Sequence, residues 1–203
     1  PGTPGTAATP APGPMLDEVL ITATGSPLTL FETPYVAYSV DDEEILRRQY
    51  RSTPEALRHV PGVMIQKTAH GHGSPYIRGF TSFRNLFLID GIRLNNSVFR
   101  PGPNQYWNTV DPFSLDRMEV VKGPSSVLYG SDAIGGTVHA ITKSPYSYGE
   151  GFTYGGRGYY RVSSAENSHV GRGEVSLGLD SHTGVLLGGT GKHYGNVVGG
   201  DDV

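Results

Sequence analysis

The 203-residue sequence contains no cysteine, which excludes a disulfide framework and any thiolate metal site. No apolar run approaches the ~20 residues that a membrane-crossing helix needs. A chain of this kind meets a bilayer only as strands closed into a barrel, because the hydrocarbon leaves no other way to satisfy the backbone. A strong charge of one sign is also missing: 16 basic residues stand against 19 acidic ones, a formal net charge of -3. Without a basic field there is no counterion release to draw in nucleic acid, so a nucleic-acid partner is excluded. Tryptophan is scarce, with a single residue, whereas glycine is abundant at 29, accompanied by 12 tyrosines. A glycine share about double the ordinary 7% favours turns, close backbone approaches and strands over helical bundles. At 36% hydrophobic residues the chain is still able to bury a core.

Residues 1–16 open with PGTPGTAATPAPGP, which cannot bury enough surface to offset the entropy of ordering and reads as a flexible linker. Asp17, Glu18, Val19, Leu20, Ile21, Thr22 and Ala23 follow as a short strand seeking a partner, or as the ordinary first strand of a domain. Asp41 with Glu44 three residues on opens a helix carrying Ile45, Leu46 and Gln49, and a second starts near Thr53 with Pro54 and Glu55 in its first turn. Strands are predicted at Val63–Gln66, Tyr76–Arg78, Leu86–Ile89, Ile92–Leu94, Met118–Lys122 and Thr137–Thr142, with Asp90-Gly91 as a hairpin turn. Gly123-Pro124 opens a single helical turn closed by Gly130. Residues 30–145 thus read as an α+β domain of mixed short strands and helices.

Beyond Pro145 the pattern changes. Phe152, Tyr154, Tyr160 and Val162 alternate with Thr153, Arg157, Arg161 and Ser163, and Val175, Leu177 and Leu179 alternate with Glu174, Ser176 and Asp180. Such strands mark the start of a transmembrane β-barrel over 150–203, or a soluble hairpin extension. The run Thr183–Tyr194 has no clear phase. About three strands cannot close a barrel whose smallest form needs about eight, so the chain is expected to be a fragment of a longer polypeptide.

Four segments in order carry a resemblance: Leu57-Arg58-His59-Val60-Pro61-Gly62-Val63, Tyr76-Ile77-Arg78-Gly79-Phe80, Leu88-Ile89-Asp90-Gly91-Ile92-Arg93, and the long run from Met118 through Gly123-Pro124-Ser125-Ser126 to Gly135-Gly136. Together they closely resemble the plug domain of TonB-dependent outer-membrane receptors over about residues 17–145. The glycines of the last segment have folding roles, at a strand-to-helix turn and a close strand approach. Neither a nucleophile elbow nor a phosphate loop is present, since Gly123-Pro124-Ser125-Ser126-Val127 lacks the second glycine and no Gly-Lys-Ser/Thr occurs. No enzyme activity and no cofactor are expected.

The resemblance implies a location in the cell outer membrane, with the plug in the lumen, the N-terminus in the periplasm and lipid around the barrel. It makes residues 17–23 the TonB box, a segment that pairs with TonB through main-chain hydrogen bonds. It implies that Arg78, Glu119 and Lys122 face the barrel wall, although Lys122 lacks the fork of the arginine often found there; solvated strand charges are the other reading. The polar, aromatic stretch 95–111, with Phe99, Arg100, Gln105, Tyr106 and Trp107, and the segment Lys67–Pro75, with His70 and His72, would be loops facing a ligand. The two histidines have no third ligand nearby, and no metal site is expected. The implied function is active import, energised through TonB, of a scarce ligand, with iron-siderophore or haem as the family default and cobalamin, nickel or glycans also open. A receptor that mainly signals to a periplasmic partner and a soluble periplasmic binding module are the alternatives.

Overall fold

The computed structural model describes residues 19–20, 28–29, 35–69, 72–94, 106–145, 151–164, 166–180 and 182–196. In chain order its strands are β1 (Val19–Leu20), β2 (Leu28–Thr29), β3 (Val36–Asp41), β4 (Val63–Ala69), β5 (His72–Ile77), β6 (Asn85–Ile89), β7 (Ile92–Arg93), β8 (Leu115–Lys122), β9 (Gly136–Thr142), β10 (Thr153–Ser163), β11 (Ser168–Gly178) and β12 (Gly184–His193). The helices are α1 (Asp42–Arg48), α2 (Thr53–Ala56) and α3 (Ser126–Tyr129).

Five strands form a mixed sheet in the order β3-β8-β9-β6-β7, in which only β6 and β9 run parallel. The register lines up Tyr38, Val120, Val138 and Phe87 in one row and Val40, Met118, Ala140 and Ile89 in another, both on the face that carries the main core. The rows between them, Ser39-Glu119-His139-Leu88 and Ala37-Val121-Thr137-Leu86, lie on the opposite face, where Leu86 and Leu88 pack with Ala133 and Tyr129. Side chains on opposite faces alternate with period two. Because both faces are covered, the sequence of β8 shows little alternation of apolar and polar residues.

Local signals account for the turns and caps. Asp90 and Gly91 both sit at positive φ, 48° and 83°, as a two-residue primed hairpin requires. The Asp90 carboxylate accepts the Thr142 amide and hydroxyl protons, each at 2.8 Å, and pins the turn to β9. The Gly91 amide donates to His139 Nε2 at 2.9 Å. Burial holds the His139 imidazole below its ordinary value, which keeps that nitrogen free to accept. Asp41 caps α1 by accepting the Glu44 amide at 2.7 Å. The capping box is half made, because Glu44 turns instead to Arg48 at 2.7 Å.

Gly136 runs between β8 and β6 with no room for a side chain: a Cβ there would lie 2.7 Å from the Val121 carbonyl oxygen, an immobile backbone atom. Gly136→Ala is therefore expected to cost about 1–3 kcal/mol of stability through overpacking. The check is a lower denaturant midpoint at unchanged slope; an unchanged midpoint would mean that the strands part at no cost.

The segment Lys67–Pro75, expected as a loop, is instead largely hairpin. β4 and β5 pair antiparallel from Val63 opposite Ile77 to Ala69 opposite His72, with a register shift between Gln66 and Ala69. Lys67 is on β4 and bonds Glu55 at 2.9 Å. Pro75 and the Gly73-Ser74 pair hid the strand, since proline and glycine weaken strand patterns.

β10, β11 and β12 form a three-stranded antiparallel meander of 10- and 11-residue strands. Tyr154, Tyr160, Val162, Val175 and Leu187 are exposed on its outer side, while Arg157, Tyr159, Arg161, Ser168, Val170, Arg172 and Glu174 turn inward. Tyr159 meets Phe113 edge-on at 5.0 Å, and Val170 joins the main core. No helix among the described residues is long and apolar enough to cross a membrane.

Candidate functional site

The inner face of the meander meets the α+β domain through a continuous chain of charges. Arg157 on β10 reaches Asp42 at the start of α1 at 3.1 Å and Glu174 on β11 at 2.9 Å. Glu174 also holds Arg172 at 2.9 Å, and Arg172 reaches Asp111, ahead of β8, at 3.4 Å. Asp111 closes the chain on β12, accepting from Lys192 and from the Thr190 hydroxyl, each at 2.6 Å. Lys143, just past β9, lies 3.8 Å from Asp42 and 3.7 Å from Glu174.

The alternation of β10 and β11 creates this arrangement: the phase that sends Tyr154 and Tyr160 outward sends Arg157, Arg161, Arg172 and Glu174 in. Glu174, Lys143 and Arg172 are the most deeply placed of this chain, with side chains 2%, 5% and 7% exposed. At that burial each charge depends on its partners, since water no longer compensates it. Burial pulls the Lys143 ammonium below its ordinary range, while Glu174 and Asp42 pull it back up.

A second tie lies at the other end of β10. Glu166, in the turn before β11, binds Arg51 of the domain at 2.6 Å and Arg161 of β10 at 3.1 Å. Arg161 also donates to the Gln49 carbonyl at 3.4 Å and to Ser168 Oγ at 3.1 Å. The two ties fix the domain against all three strands. Chemically the arrangement holds a register and releases it when charges are separated; it contains no nucleophile and base pair. Among the described residues no group of three or more His, Asp or Glu side chains is placed to hold a metal ion.

Of the residues expected to face the barrel wall, Glu119 and Lys122 turn into the domain, while Arg78 stays exposed. Glu119 is 0% exposed, within the sheet, and pairs with Arg117 at 3.0 Å, a correction to its expected role. It shares the covered face with His139 and Ser39, so the wall is out of its reach. Lys122 turns back into the domain as well, donating to the Pro61 carbonyl at 2.7 Å and lying 4.5 Å above the Tyr38 ring. Arg78 is exposed at a positive φ of 52° and rests its guanidinium against Gly123.

Trp107 requires the clearest correction. Expected on a ligand-facing loop, it is 1% exposed and stacks on Phe87 with centroids 4.3 Å apart. Burying the largest side chain in the sequence outweighs its place in a polar stretch. Tyr106 opens the same 3-10 turn, Tyr106–Thr109, and His72 begins β5. His70, Phe99, Arg100 and Gln105 lie outside the described residues, as do the linker 1–16 and Asp17, Glu18, Ile21, Thr22 and Ala23. Val19 and Leu20 form β1, which pairs with β2. Sequence reasoning missed Asp42, Asp111, Lys143, Arg172 and Lys192. The signal that reveals part of this set is charge of both signs on the polar phase of strands whose other phase is apolar.

An α+β domain seated by ion pairs on the inner face of a meander, whose outer face is apolar, defines the occluding domain of a membrane barrel together with part of its wall. The family model described as TonB-dependent Receptor Plug Domain matches residues 29–137, and the chain belongs to that family. Among curated relatives, the Vitamin B12 transporter BtuB of Vibrio vulnificus is 37% identical over 133 residues, 64% of this chain and 21% of its own. The Hemin receptor of Yersinia enterocolitica is 30% identical over 196 residues, 89% of this chain and 26% of its own. The chain thus spans about a fifth to a quarter of the length of these relatives. FpvA of P. aeruginosa, solved with a bound pyoverdine, superposes with a TM-score of 0.57 at 27% identity, covering 78% of this chain and 20% of that one. The alcaligin outer membrane receptor FauA of Bordetella pertussis shares the fold, with a TM-score of 0.59 at 21% identity, covering 85% and 29% of the two chains. The chain is an outer-membrane receptor plug followed by barrel strands.

Proposed function

We propose that this chain is the gate of an active importer, which TonB moves by pulling on residues 17–23. The observation that carries the reading is the charge chain from Asp42 to Lys192, which ties the plug to the wall through separable contacts. The path of force supports it. A pull on the N-terminal segment enters the sheet at β3, its edge strand, and reaches Asp42 immediately after Asp41 ends that strand. Asp42 is one of the anchors on Arg157. An edge strand and an ion pair give way more readily than a buried central strand.

Residues 1–16 serve as the tether, 17–23 as the TonB box and 30–145 as the plug, with 150–203 opening the barrel. β1 has β2 on one side, and among the described residues no strand occupies its other edge, which suits pairing with an added strand. The imported ligand is an iron-siderophore or haem, met on the outer side by His70, His72, Phe99, Arg100, Gln105 and Tyr106. Relatives named for vitamin B12 and hemin support a scarce, bulky ligand. No bond in it is made or broken.

Deleting residues 17–23 in the full receptor is expected to abolish energised uptake of a ferric siderophore or haem while leaving its binding to cells intact. Uptake at the undeleted rate, insensitive to a protonophore, would overturn the reading.

A further inference from the structure

Beside the second tie lies a cleft of about 420 Å³. Its walls come from three separate parts of the chain: the end of α1 and the turn after it give Arg48, Tyr50 and Arg51, the 3-10 turn Leu57–His59 gives Arg58, and β10 gives Arg161. Four arginines therefore converge on one space. Glu55 is the carboxylate in the lining, and it is already engaged by Lys67 Nζ and by the Arg51 amide, each at 2.9 Å. Glu44 and Glu166 answer Arg48, Arg51 and Arg161. Arg58 is exposed and makes no hydrogen bond or ion pair to any described residue. The cleft is left with an excess of positive charge.

Three polar atoms of the same lining are buried without a hydrogen-bond partner among the described residues: two on donor groups, the Tyr50 hydroxyl and Arg161 Nε, and one acceptor, the Gln49 side-chain oxygen. Tyr50 is 3% exposed. Burial, reinforced by Glu44, pushes its phenol up to about 12, so it stays a neutral O–H donor at any physiological pH. Buried donors without acceptors are costly, and native structures rarely keep them unless a ligand or water supplies the acceptor. A neutral O–H, a guanidinium Nε–H and the Arg58 guanidinium, which has no partner among the described residues, outnumber the one unmet acceptor and suit a ligand carrying negative charge. The planar fork of arginine fits the paired oxygens of a carboxylate or phosphate.

We propose that this cleft is a binding site for a small oxyanion, a carboxylate or phosphate group, held by Arg58 and Arg161 with the Tyr50 hydroxyl as a neutral donor. The site is separate from the loops proposed to face the imported ligand. It would bind whether or not the plug is pulled, so its failure and the failure of the import reading are distinguishable.

The test is calorimetric titration of the full receptor in detergent with citrate and, separately, with inorganic phosphate, at constant ionic strength against chloride. Saturable binding of one anion per chain is expected, and whichever of the two binds identifies the carboxylate or phosphate source. Arg58→Gln and Tyr50→Phe are each expected to weaken that binding about tenfold, the loss of one charge-assisted hydrogen bond. Both variants should fold, because Arg58 makes no hydrogen bond or ion pair among the described residues and Tyr50→Phe keeps the buried ring in place. Absence of saturable binding by either anion overturns the proposal, and so does equal affinity in the wild type and both variants, which would place the anion elsewhere or leave only water in the cleft.

Discussion

Glu174→Ala is expected to destabilise the seating of the plug by about 3–5 kcal/mol, the cost of removing one member of a buried ionic network. Glu174 is the anion on which Arg157 and Arg172 both converge at 2.9 Å, with Lys143 3.7 Å away. Its loss leaves Arg157, Arg172 and Lys143 with Asp42 and Asp111 as counter-charges, and Arg172 and Lys143, 7% and 5% exposed, have little access to water. Arg157 and Arg172 keep their charge at any accessible pH. Lys143, already pulled down by burial, would be pulled down further. Glu174→Gln keeps the shape and part of the hydrogen bonding and should fall between the alanine variant and the wild type. The measurement is the denaturant midpoint for plug release in the assembled receptor. A midpoint unchanged in both variants would mean that the network contributes nothing to the seating.

Trp107→Ala should cost a comparable amount, about 3–5 kcal/mol, by opening a cavity beneath the sheet. Trp107 stacks on Phe87, which stands in the row with Val138, Val120 and Tyr38. Two measurements separate a core role from a ligand-contact role. Core packing lowers the unfolding midpoint and leaves ligand affinity unchanged in the folded fraction. A ligand contact would do the reverse, and a stable variant with weakened binding would contradict the placement of Trp107.

These two residues mark where the sequence was legible and where it was not. The Asp90-Gly91 turn could be read directly, because positive φ at two consecutive positions leaves few residue choices. The outward and inward phases of β10 and β11 could also be read, because lipid and lumen demand opposite residue types on alternate positions. Within the plug that logic fails. β8 is covered on both faces, so Glu119 follows Met118 and precedes Val120 with no signal of which way it points. Trp107 sat in a polar stretch whose long-range partner, Phe87, sequence alone does not identify. The seam was hidden for the same reason: Asp42 and Arg157 are 115 residues apart, and each alone looks like an ordinary surface charge. Motif order identified the plug, but the side chains that seat it lie largely between the motifs.

The central claim is that the plug is held to the wall by this charge chain and opens by breaking it. Its most direct test is a double-mutant cycle on Asp42 and Arg157, which meet at 3.1 Å, read as the urea concentration at which the receptor in a planar bilayer first conducts. Asp42→Ala and Arg157→Ala should each lower that concentration, and the double variant should lower it by less than the sum, since both remove the same contact. Fully additive shifts, or conduction at the wild-type concentration in all three variants, would contradict the account.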